Sequence, residues 1–352
     1  MGMSAERANP NDDTVNGTDD DVDDDVDDDT VNGVADDGRG ADAFRLPGER
    51  ELTAAAERLR GQVRRTPVLE IGGAQLGVRA RVLVKLELLQ HTGSFKARGA
   101  LNTLLVRPHA DDGVVAASGG NHGAAVAWAA ARVGAPARIF VPATSPPVKA
   151  ERVRSYGAEV VVVDGYYPEA FAAAERWSAG RSVVRVHAYD APEVAAGQGT
   201  LGLEAAEQVP DVSTVLVSCG GGGLYAGTAL ALAGRAVVVP VEPERCPSLS
   251  AAVAAGGPVP VEVGGVAADS MGAGMVGRHG YAVAARTHTS PLLVSDEAIA
   301  AARAFLWERC RVLAEPGGAT ALAALTSGVF TPAAGQTVVV VVSGGNTTDV
   351  PT

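Results

Sequence analysis

The chain has 352 residues, of which 41 are acidic and 29 basic, so its formal net charge at pH 7 is −12. Fifteen acidic and two basic residues lie in residues 1–43, which leaves the rest of the chain nearly neutral, with 26 acidic and 27 basic side chains. This balance excludes a basic nucleic-acid surface, and no run reaches the roughly 18 apolar residues of a membrane span. Three scattered cysteines and an N-terminus without signal-peptide features predict a cytoplasmic protein.

Residues 1–43 form an acidic segment with 14 aspartates and few large apolar side chains. The hexapeptide DDTVNG occurs in it twice, at 12–17 and at 28–33. Such a composition cannot bury enough apolar surface to offset the entropy of ordering, so a disordered acidic tail is predicted.

From Phe44 onward, helical and strand-like segments alternate. Helices are predicted at 49–59, 100–105, 148–155, 168–178, 193–208, 248–255, 295–309 and 318–325. Two more follow the loops that end at Gly123 and Leu224 and run to about residues 133 and 233. Strands are predicted at 82–87, 113–117, 137–141, 159–163, 183–186, 214–218, 236–241 and 337–342, with an extended turn at 65–69. Valine-rich strands separated by helices predict an α/β fold whose parallel sheets are covered by helices on both faces.

The stretch HTGSFKARGA, residues 91–100, places Lys96 in the first turn of a predicted helix. Ser94 is expected to cap this helix through its hydroxyl group. The charge of Lys96 opposes the positive end of the helix dipole, which lowers its pKa and favours the neutral amine that forms an imine with a carbonyl compound. The alternative interpretation is a solvated surface lysine, although the chain has only three lysines against 26 arginines.

Three predicted strands end in glycine-rich or polar loops. Four consecutive glycines begin at Gly220, after the strand at 214–218, and their backbone amides can surround one phosphate. The alternative is a flexible connector. The loop Ser118–His122 offers amides and a hydroxyl to a small anion such as a carboxylate, and Ser343 ends the last strand. Ligands of open α/β sheets bind beyond the carboxyl ends of the strands, so we expect these loops to share a site.

An imine-forming lysine, a phosphate nest and a carboxylate-binding turn suit a phosphorylated aldehyde cofactor that handles amino acids. The segments SFKARGA, SGGNH, GGGGL, EPGGA and SGGN occur in this order within about residues 44–349. In them the chain resembles the pyridoxal-phosphate enzymes of the tryptophan-synthase β fold (fold type II), specifically the serine/threonine dehydratase and serine racemase group. The resemblance implies two open, mostly parallel twisted sheets flanked by helices, with a large domain (44–108 and 189–352) and a small domain (109–188).

The resemblance also implies pyridoxal 5'-phosphate as the cofactor and a role for each matching residue. Lys96 is implied to bind the cofactor covalently and to take the α-proton of the substrate. Asn121 is implied to bond the ring hydroxyl, and Ser343 to face the ring nitrogen, where a neutral hydroxyl favours β-elimination. The implied cofactor-binding residues are Phe95, Lys96, Asn121, Gly220, Gly221, Gly222, Gly223, Leu224, Glu315 and Ser343. The implied substrate-binding residues are Ser118, Asn121 and His122.

The chain departs from its relatives at two places. Serine racemases carry a second serine where this chain has Gly119, which has no proton to give, so elimination is expected to dominate over racemisation. Relatives also hold a divalent cation with a glutamate, a backbone carbonyl and an acidic residue. Glu242 and the carbonyl of Cys246 match the first two, but Ser248 stands at the acidic position, and the sequence leaves the metal site undecided.

The expected function is that of a pyridoxal-phosphate-dependent L-threonine/L-serine dehydratase, or ammonia-lyase, which converts its substrate to a 2-oxo acid and ammonia. No isoleucine-binding regulatory domain is expected, since the chain stops soon after Ser343. The alternatives are a serine racemase, a dehydratase of hydroxyaspartate or phenylserine, and a non-catalytic cofactor-binding module. The resemblance implies a homodimer with a small amino-acid substrate and neither a nucleic-acid nor a membrane partner.

Overall fold

The computed structural model describes residues 44–107 and 112–351, and the predicted acidic tail lies outside them. The α-helices are α1 Glu49–Leu59, α2 Lys96–Val106, α3 Asn121–Val133, α4 Pro147–Ser155, α5 Tyr167–Ser178, α6 Pro192–Gln208, α7 Gly223–Ala231, α8 Ser248–Ala255, α9 Ala268–Met271, α10 Arg278–Thr287, α11 Asp296–Cys310 and α12 Pro316–Thr326. The strands are β1 Val68–Glu70, β2 Arg81–Lys85, β3 Val114–Ala117, β4 Ala137–Pro142, β5 Glu159–Val163, β6 Val184–Arg185, β7 Thr214–Ser218, β8 Val237–Pro243, β9 Leu292–Val294 and β10 Thr337–Val341. Within the described ranges, no helix combines the length and apolarity that crossing a membrane requires.

The strands form two sheets, as the α/β prediction requires. The larger sheet has the order β1-β2-β10-β7-β8-β9, and every neighbouring pair is parallel except β1 with β2. The smaller sheet has the order β5-β4-β3-β6 and is parallel throughout. The strands of the smaller sheet all lie in residues 109–188, and the division into a large and a small domain stays a prediction.

Helices cover both faces of the larger sheet, which explains why its central strands are mostly apolar. In β10, Val338 and Val340 pack into one core together with α11 and α12, whereas Val339 and Val341 pack into another with α6 and α7. Successive side chains of a strand point to opposite faces, so a strand covered on both sides needs an apolar residue at every position. All five residues of β10 are buried.

The parallel strands bring their loops together at their carboxyl ends. The glycine loop follows β7, Ser343 follows β10, and Ser118 follows β3. The loop before α2 joins them, because Ser94 forms an antiparallel bridge with Gly344 and the amide of Phe95 donates to the carbonyl of Ser343 at 3.1 Å. The fold therefore places the start of α2, and with it Lys96, beside the ends of the central strands.

The structure differs from the predicted elements in several places. The α2 helix begins at Lys96, and the predicted cap is wrong, because the buried hydroxyl of Ser94 has no hydrogen-bond partner and Ser94 itself is extended. The residues predicted as an extended turn pair with β2 as the short edge strand β1. The elements β9, α9 and α10 were missed, because two of them have only three or four residues and α10 contains a glycine and two arginines.

A buried network of charged side chains anchors α2. The guanidinium of Arg98, two residues after Lys96, contacts both carboxylate oxygens of Glu87 at 2.7 and 2.8 Å and Glu204 of α6 at 3.0 Å. Lys85 of β2 donates to the same Glu204 at 2.5 Å. Arg98, Glu87 and Lys85 are each at most 1% exposed. Because each charge has a partner, the network fixes α2 against β2 and α6.

We expect Glu87→Gln to lower the free energy of unfolding by about 3 kcal/mol, because the charge of Arg98 would lose its buried partner. Urea denaturation followed by circular dichroism measures this change. The matched control is Glu70→Gln, which removes an exposed partner of Arg81 and should leave the midpoint unchanged. Equal midpoint shifts in the two variants would contradict a structural role for the buried network.

Candidate active site

A cavity lies at the carboxyl ends of β7 and β10. Its volume is about 480 Å³, which includes space open to solvent. All ten residues predicted to bind the cofactor line it: Phe95, Lys96, Asn121, Gly220, Gly221, Gly222, Gly223, Leu224, Glu315 and Ser343. They come from five separate segments of the chain, so the fold brings together what the sequence holds far apart. The individual roles of these residues stay predictions.

Lys96 is the first residue of α2 and projects its amine into this cavity. Nζ donates to the carbonyl of Ala188 at 2.7 Å and lies 5.1 Å from the centre of the Phe95 ring. Burial lowers the pKa of Lys96 to about 8, so far more of the amine is neutral near physiological pH than at its ordinary pKa of 10.5. The predicted direction of the pKa change is therefore found, but its cause is burial rather than the helix dipole.

The glycine loop presents unpaired backbone amides to the cavity. Among the described residues, the amides of Gly220, Gly221, Gly223 and Leu224 donate to no protein oxygen. Gly222 has a φ of +86°, a conformation that favours glycine, and is the N-cap residue of α7. A Cβ on Gly221 would collide with the ring of Tyr189. The loop therefore combines free donors with the positive end of a helix, which suits a phosphate group.

Asn121 and Glu315 form a hydrogen-bonded pair at the opposite side of the cavity. Nδ2 of Asn121 donates to Oε1 of Glu315 at 2.6 Å, and its Oδ1 accepts from Nδ2 of Asn346 at 2.5 Å. Burial raises the pKa of Glu315 to about 7. These contacts fix the orientation of the Asn121 amide and leave its second N–H hydrogen available to a ligand.

Ser343 adds a neutral hydroxyl group next to these residues. Its Oγ donates weakly to the carbonyl of Gly317 at 3.3 Å, and the side chain is almost completely buried. Lys96 and Glu315 are the only lining residues of this cavity that can carry a charge near neutral pH. Burial shifts the pKa of both toward the neutral form.

The residues predicted to bind the substrate line an adjoining cleft that also contains Lys96. The amide of Gly120 donates to Oγ of Ser118 at 3.1 Å, which shapes the turn before α3. Nε2 of His122 lies 2.9 Å from the carbonyl of Val186, and burial, followed by the charge of Lys96, lowers its pKa to about 3. The neutral imidazole has one N–H group, and it donates that group to the carbonyl of Val186. His122 can therefore donate to a carboxylate only through its backbone amide.

Five further residues line the inner cavity and were not predicted: Tyr189, Ser218, Ser270, Met271 and Gly317. Ser218 could have been found, because it is the last residue of a predicted strand that leads into the glycine loop. Ser270 and Met271 belong to the four-residue helix α9, which is too short to show a periodicity.

The inner cavity fits a phosphorylated aldehyde of the pyridoxal type. It offers a partly neutral amine for a carbonyl group, free amides at a helix N-terminus for a phosphate, and polar groups from Asn121 and Ser343 for the edge of a ring. The donor set contains no thiolate or imidazole cluster, and in the described residues no group of three or more His, Cys, Asp or Glu side chains is placed to hold a metal ion.

Comparisons with known proteins agree with this geometry. Residues 59–344 match the family model described as pyridoxal-phosphate dependent enzyme. The chain is 39% identical over 300 residues to an L-threonine ammonia-lyase of Geobacter sulfurreducens, covering 84% of this chain and 74% of that protein.

Two solved structures extend the comparison to the fold. A threonine deaminase from T.th. is 35% identical, with a TM-score of 0.79, and the match covers 87% of this chain and all of that one. A maize serine racemase is 31% identical, with a TM-score of 0.81, and the match covers 86% and 94% of the two chains. Both matches extend over most of the chain rather than over an isolated part of it.

In the chain without a cofactor, we expect Lys96 to react with an acylating reagent with a midpoint near pH 8, because only the neutral amine is nucleophilic. Mass spectrometry of the Lys96 peptide, labelled at a series of pH values, gives this midpoint. As a control, the same peptide in denaturant should follow the ordinary pKa of 10.5. A midpoint near 10.5 in the folded chain would show that the cavity does not desolvate the amine.

Proposed function

The chain belongs to the family of pyridoxal-phosphate-dependent enzymes, and we propose that within it the chain is an L-threonine ammonia-lyase that also acts on L-serine. The observation that carries the proposal is the meeting of Lys96, the amide-rich glycine loop and the N-terminus of α3 at two adjoining cavities. Relatives named L-threonine ammonia-lyase and threonine deaminase, matched over most of the chain, support the same activity.

When bound, pyridoxal phosphate supplies the electron sink that makes the α-proton of an amino acid acidic. The amides of the glycine loop would hold its phosphate, and the amine of Lys96 would provide the attachment point. Nζ of Lys96 would be the base that takes the α-proton. Loss of the β-hydroxyl as water, followed by hydrolysis, gives 2-oxobutanoate and ammonia from threonine.

The first turn of α3 orients the substrate. Ala124 is the first residue of this helix whose amide bonds back to the preceding turn, at Gly120, so the amides of Asn121, His122 and Gly123 remain available at the positive end of the helix. A substrate carboxylate placed there lies in the cleft that contains Lys96. Because the side chain of His122 is neutral and engaged with Val186, backbone amides provide the donors on this side.

The position of Gly119 favours elimination over racemisation. Racemisation needs a proton donor on the face opposite to Lys96, and Gly119 has no side chain to supply it. A Cβ at this position would collide with Oγ of Ser145, so a serine cannot be added there without moving Ser145. The site is therefore packed for a glycine.

A second candidate substrate is a β-aryl serine such as phenylserine, because the outer cleft is aromatic. Tyr166 and Tyr167 are 70% and 47% exposed at its edge, opposite Tyr189. Besides Lys96, the charged lining residue is Asp269, which is already paired with Lys149. The lining residues of this cleft include no unpaired cation that could bind the second carboxylate of hydroxyaspartate. They do include tyrosines that could pack against an aromatic ring.

A homodimer and a cytoplasmic location are included in the proposal, and the resemblance to the dehydratase group supports both. The near-neutral charge of residues 44–352 agrees with a small-molecule substrate rather than a nucleic acid.

With its cofactor bound, the enzyme should release 2-oxobutanoate from L-threonine and pyruvate from L-serine, each with an equal amount of ammonia, faster than the D-isomers form. Lys96→Ala should lower kcat by roughly a thousandfold, because it removes the base. Coupled assays of the 2-oxo acids and chiral chromatography measure the two reactions. D-serine formation that outpaces pyruvate release would contradict the lyase assignment, and full activity of Lys96→Ala would contradict the mechanism.

If the aromatic cleft binds the β-substituent, Tyr167→Ala should lower kcat/KM for phenylserine about fivefold more than kcat/KM for threonine, since an aromatic pair contributes roughly 1 kcal/mol. Tyr167→Phe is the matched control, because it keeps the ring and should keep the wild-type ratio. Steady-state rates with threonine, phenylserine and hydroxyaspartate give the comparison. A wild-type preference for hydroxyaspartate would exclude the aromatic candidate.

A further inference from the structure

Glu242 is a carboxylate buried beneath the glycine loop and satisfied entirely by neutral groups. It lies in β8 and is 0% exposed. Its oxygens accept from the amides of Leu249 and Ser250 at 2.6 and 2.9 Å and from the hydroxyl of Ser250 at 2.7 Å, and Oγ of Ser248 lies 3.3 Å away. Burial raises the pKa of Glu242, and these hydrogen bonds oppose the rise.

The resemblance implied that Glu242 binds a divalent cation, but its oxygens bond the first turn of α8 instead. Pro247 precedes this helix and offers no side-chain cap, so Glu242 caps it from the neighbouring strand. Both oxygens that a cation would need are engaged by helix donors, and Ser248 supplies a hydroxyl where an acidic ligand was implied. The residues present therefore do not fit a divalent cation.

Ser248 also connects this cluster to the glycine loop. Its Oγ donates to the carbonyl of Gly220 at 2.7 Å, a shorter contact than the one to Glu242. The hydroxyl has one proton, so the carbonyl of Gly220 is its principal acceptor. Ser248 is 0% exposed, and water does not compete for this contact.

The bond to Gly220 determines where the next amide points. In a planar trans peptide the C=O and N–H groups point in opposite directions, so a carbonyl held toward α8 turns the N–H of Gly221 toward the cavity. The carbonyl of Gly221 is held in turn by the amide of Gly277 at 3.1 Å. Carbonyl anchors behind the loop thus orient the donors in front of it.

We propose that Ser248, in the first turn of the helix that Glu242 caps, is a positioning residue that orients the Gly221 amide toward the cofactor phosphate, and that this arrangement works without a divalent cation. The proposed role rests on the cofactor of the proposed function but not on its reaction. Cofactor binding can be measured without any amino acid. A failure of the positioning role would therefore leave the proposed reaction intact, and a failure of the reaction would leave the positioning role intact.

The test compares two ligands of the full-length chain freed of cofactor: pyridoxal phosphate, and pyridoxal, which lacks the phosphate. Absorbance titration gives both dissociation constants. Ser248→Ala should weaken pyridoxal phosphate about tenfold and leave pyridoxal unchanged, since one hydrogen bond to the loop is lost. If Ser248→Ala does not fold, Ser248→Cys keeps the size with a weaker donor and should shift the same ratio in the same direction.

The matched control is Ser250→Ala, which removes a hydrogen bond to Glu242 but does not touch the loop. It should lower the unfolding temperature without changing the ratio of the two constants. Treating the wild type with EDTA, and then adding Mg²⁺ or Ca²⁺, should change neither the ratio nor the unfolding temperature. An unchanged ratio in the Ser248 variants, an equal change in Ser250→Ala, or a cation-dependent ratio in the wild type would each overturn the proposal.

Discussion

The site depends on lowering the pKa of a lysine amine inside a cavity that must also receive a phosphate. Burial lowers the pKa of Lys96 to about 8 and raises that of Glu315 to about 7, so both groups are driven toward their uncharged forms. A carboxylate paired with Lys96 would restore its charge, but Glu315 is bonded to Asn121 instead. The phosphate is left to neutral amides and a helix dipole, which add no competing cation.

The fold meets this requirement with elements that are rigid behind the cavity and open toward it. The buried contacts of Arg98 hold the helix that carries Lys96, two residues away. The bond from Ser248 to Gly220 holds the glycine loop from behind in the same manner. In both cases polar groups of the segment are engaged in the interior, on the side away from the cavity. This arrangement preorganises the site before any ligand binds.

The sequence was sufficient for the α/β class, for most helices and strands, and for ten of the fifteen residues that line the inner cavity. The fold prediction rests on valine-rich runs and glycine clusters, whose physical meaning is local, whereas the full set of cofactor-binding residues was implied by the resemblance to a known family. The sequence was not sufficient to predict contacts that depend on tertiary packing. The hydroxyl of Ser94 does not cap α2, the proton of His122 goes to Val186, and the helix α8 takes up both oxygens of Glu242. The first two involve neighbours distant in the chain, Gly344 and Val186, and the third depends on how β8 packs against the helix that follows it.

The central claim is that Lys96 is the lysine to which pyridoxal phosphate is attached, and three lysines make it directly testable. Reducing the yellow holoenzyme with borohydride fixes the cofactor to its lysine, and peptide mapping by mass spectrometry then locates the pyridoxyl group. We expect the added mass on the peptide that contains Lys96 and on no other. Its presence on Lys85 or Lys149, or its absence from every peptide, would contradict the account.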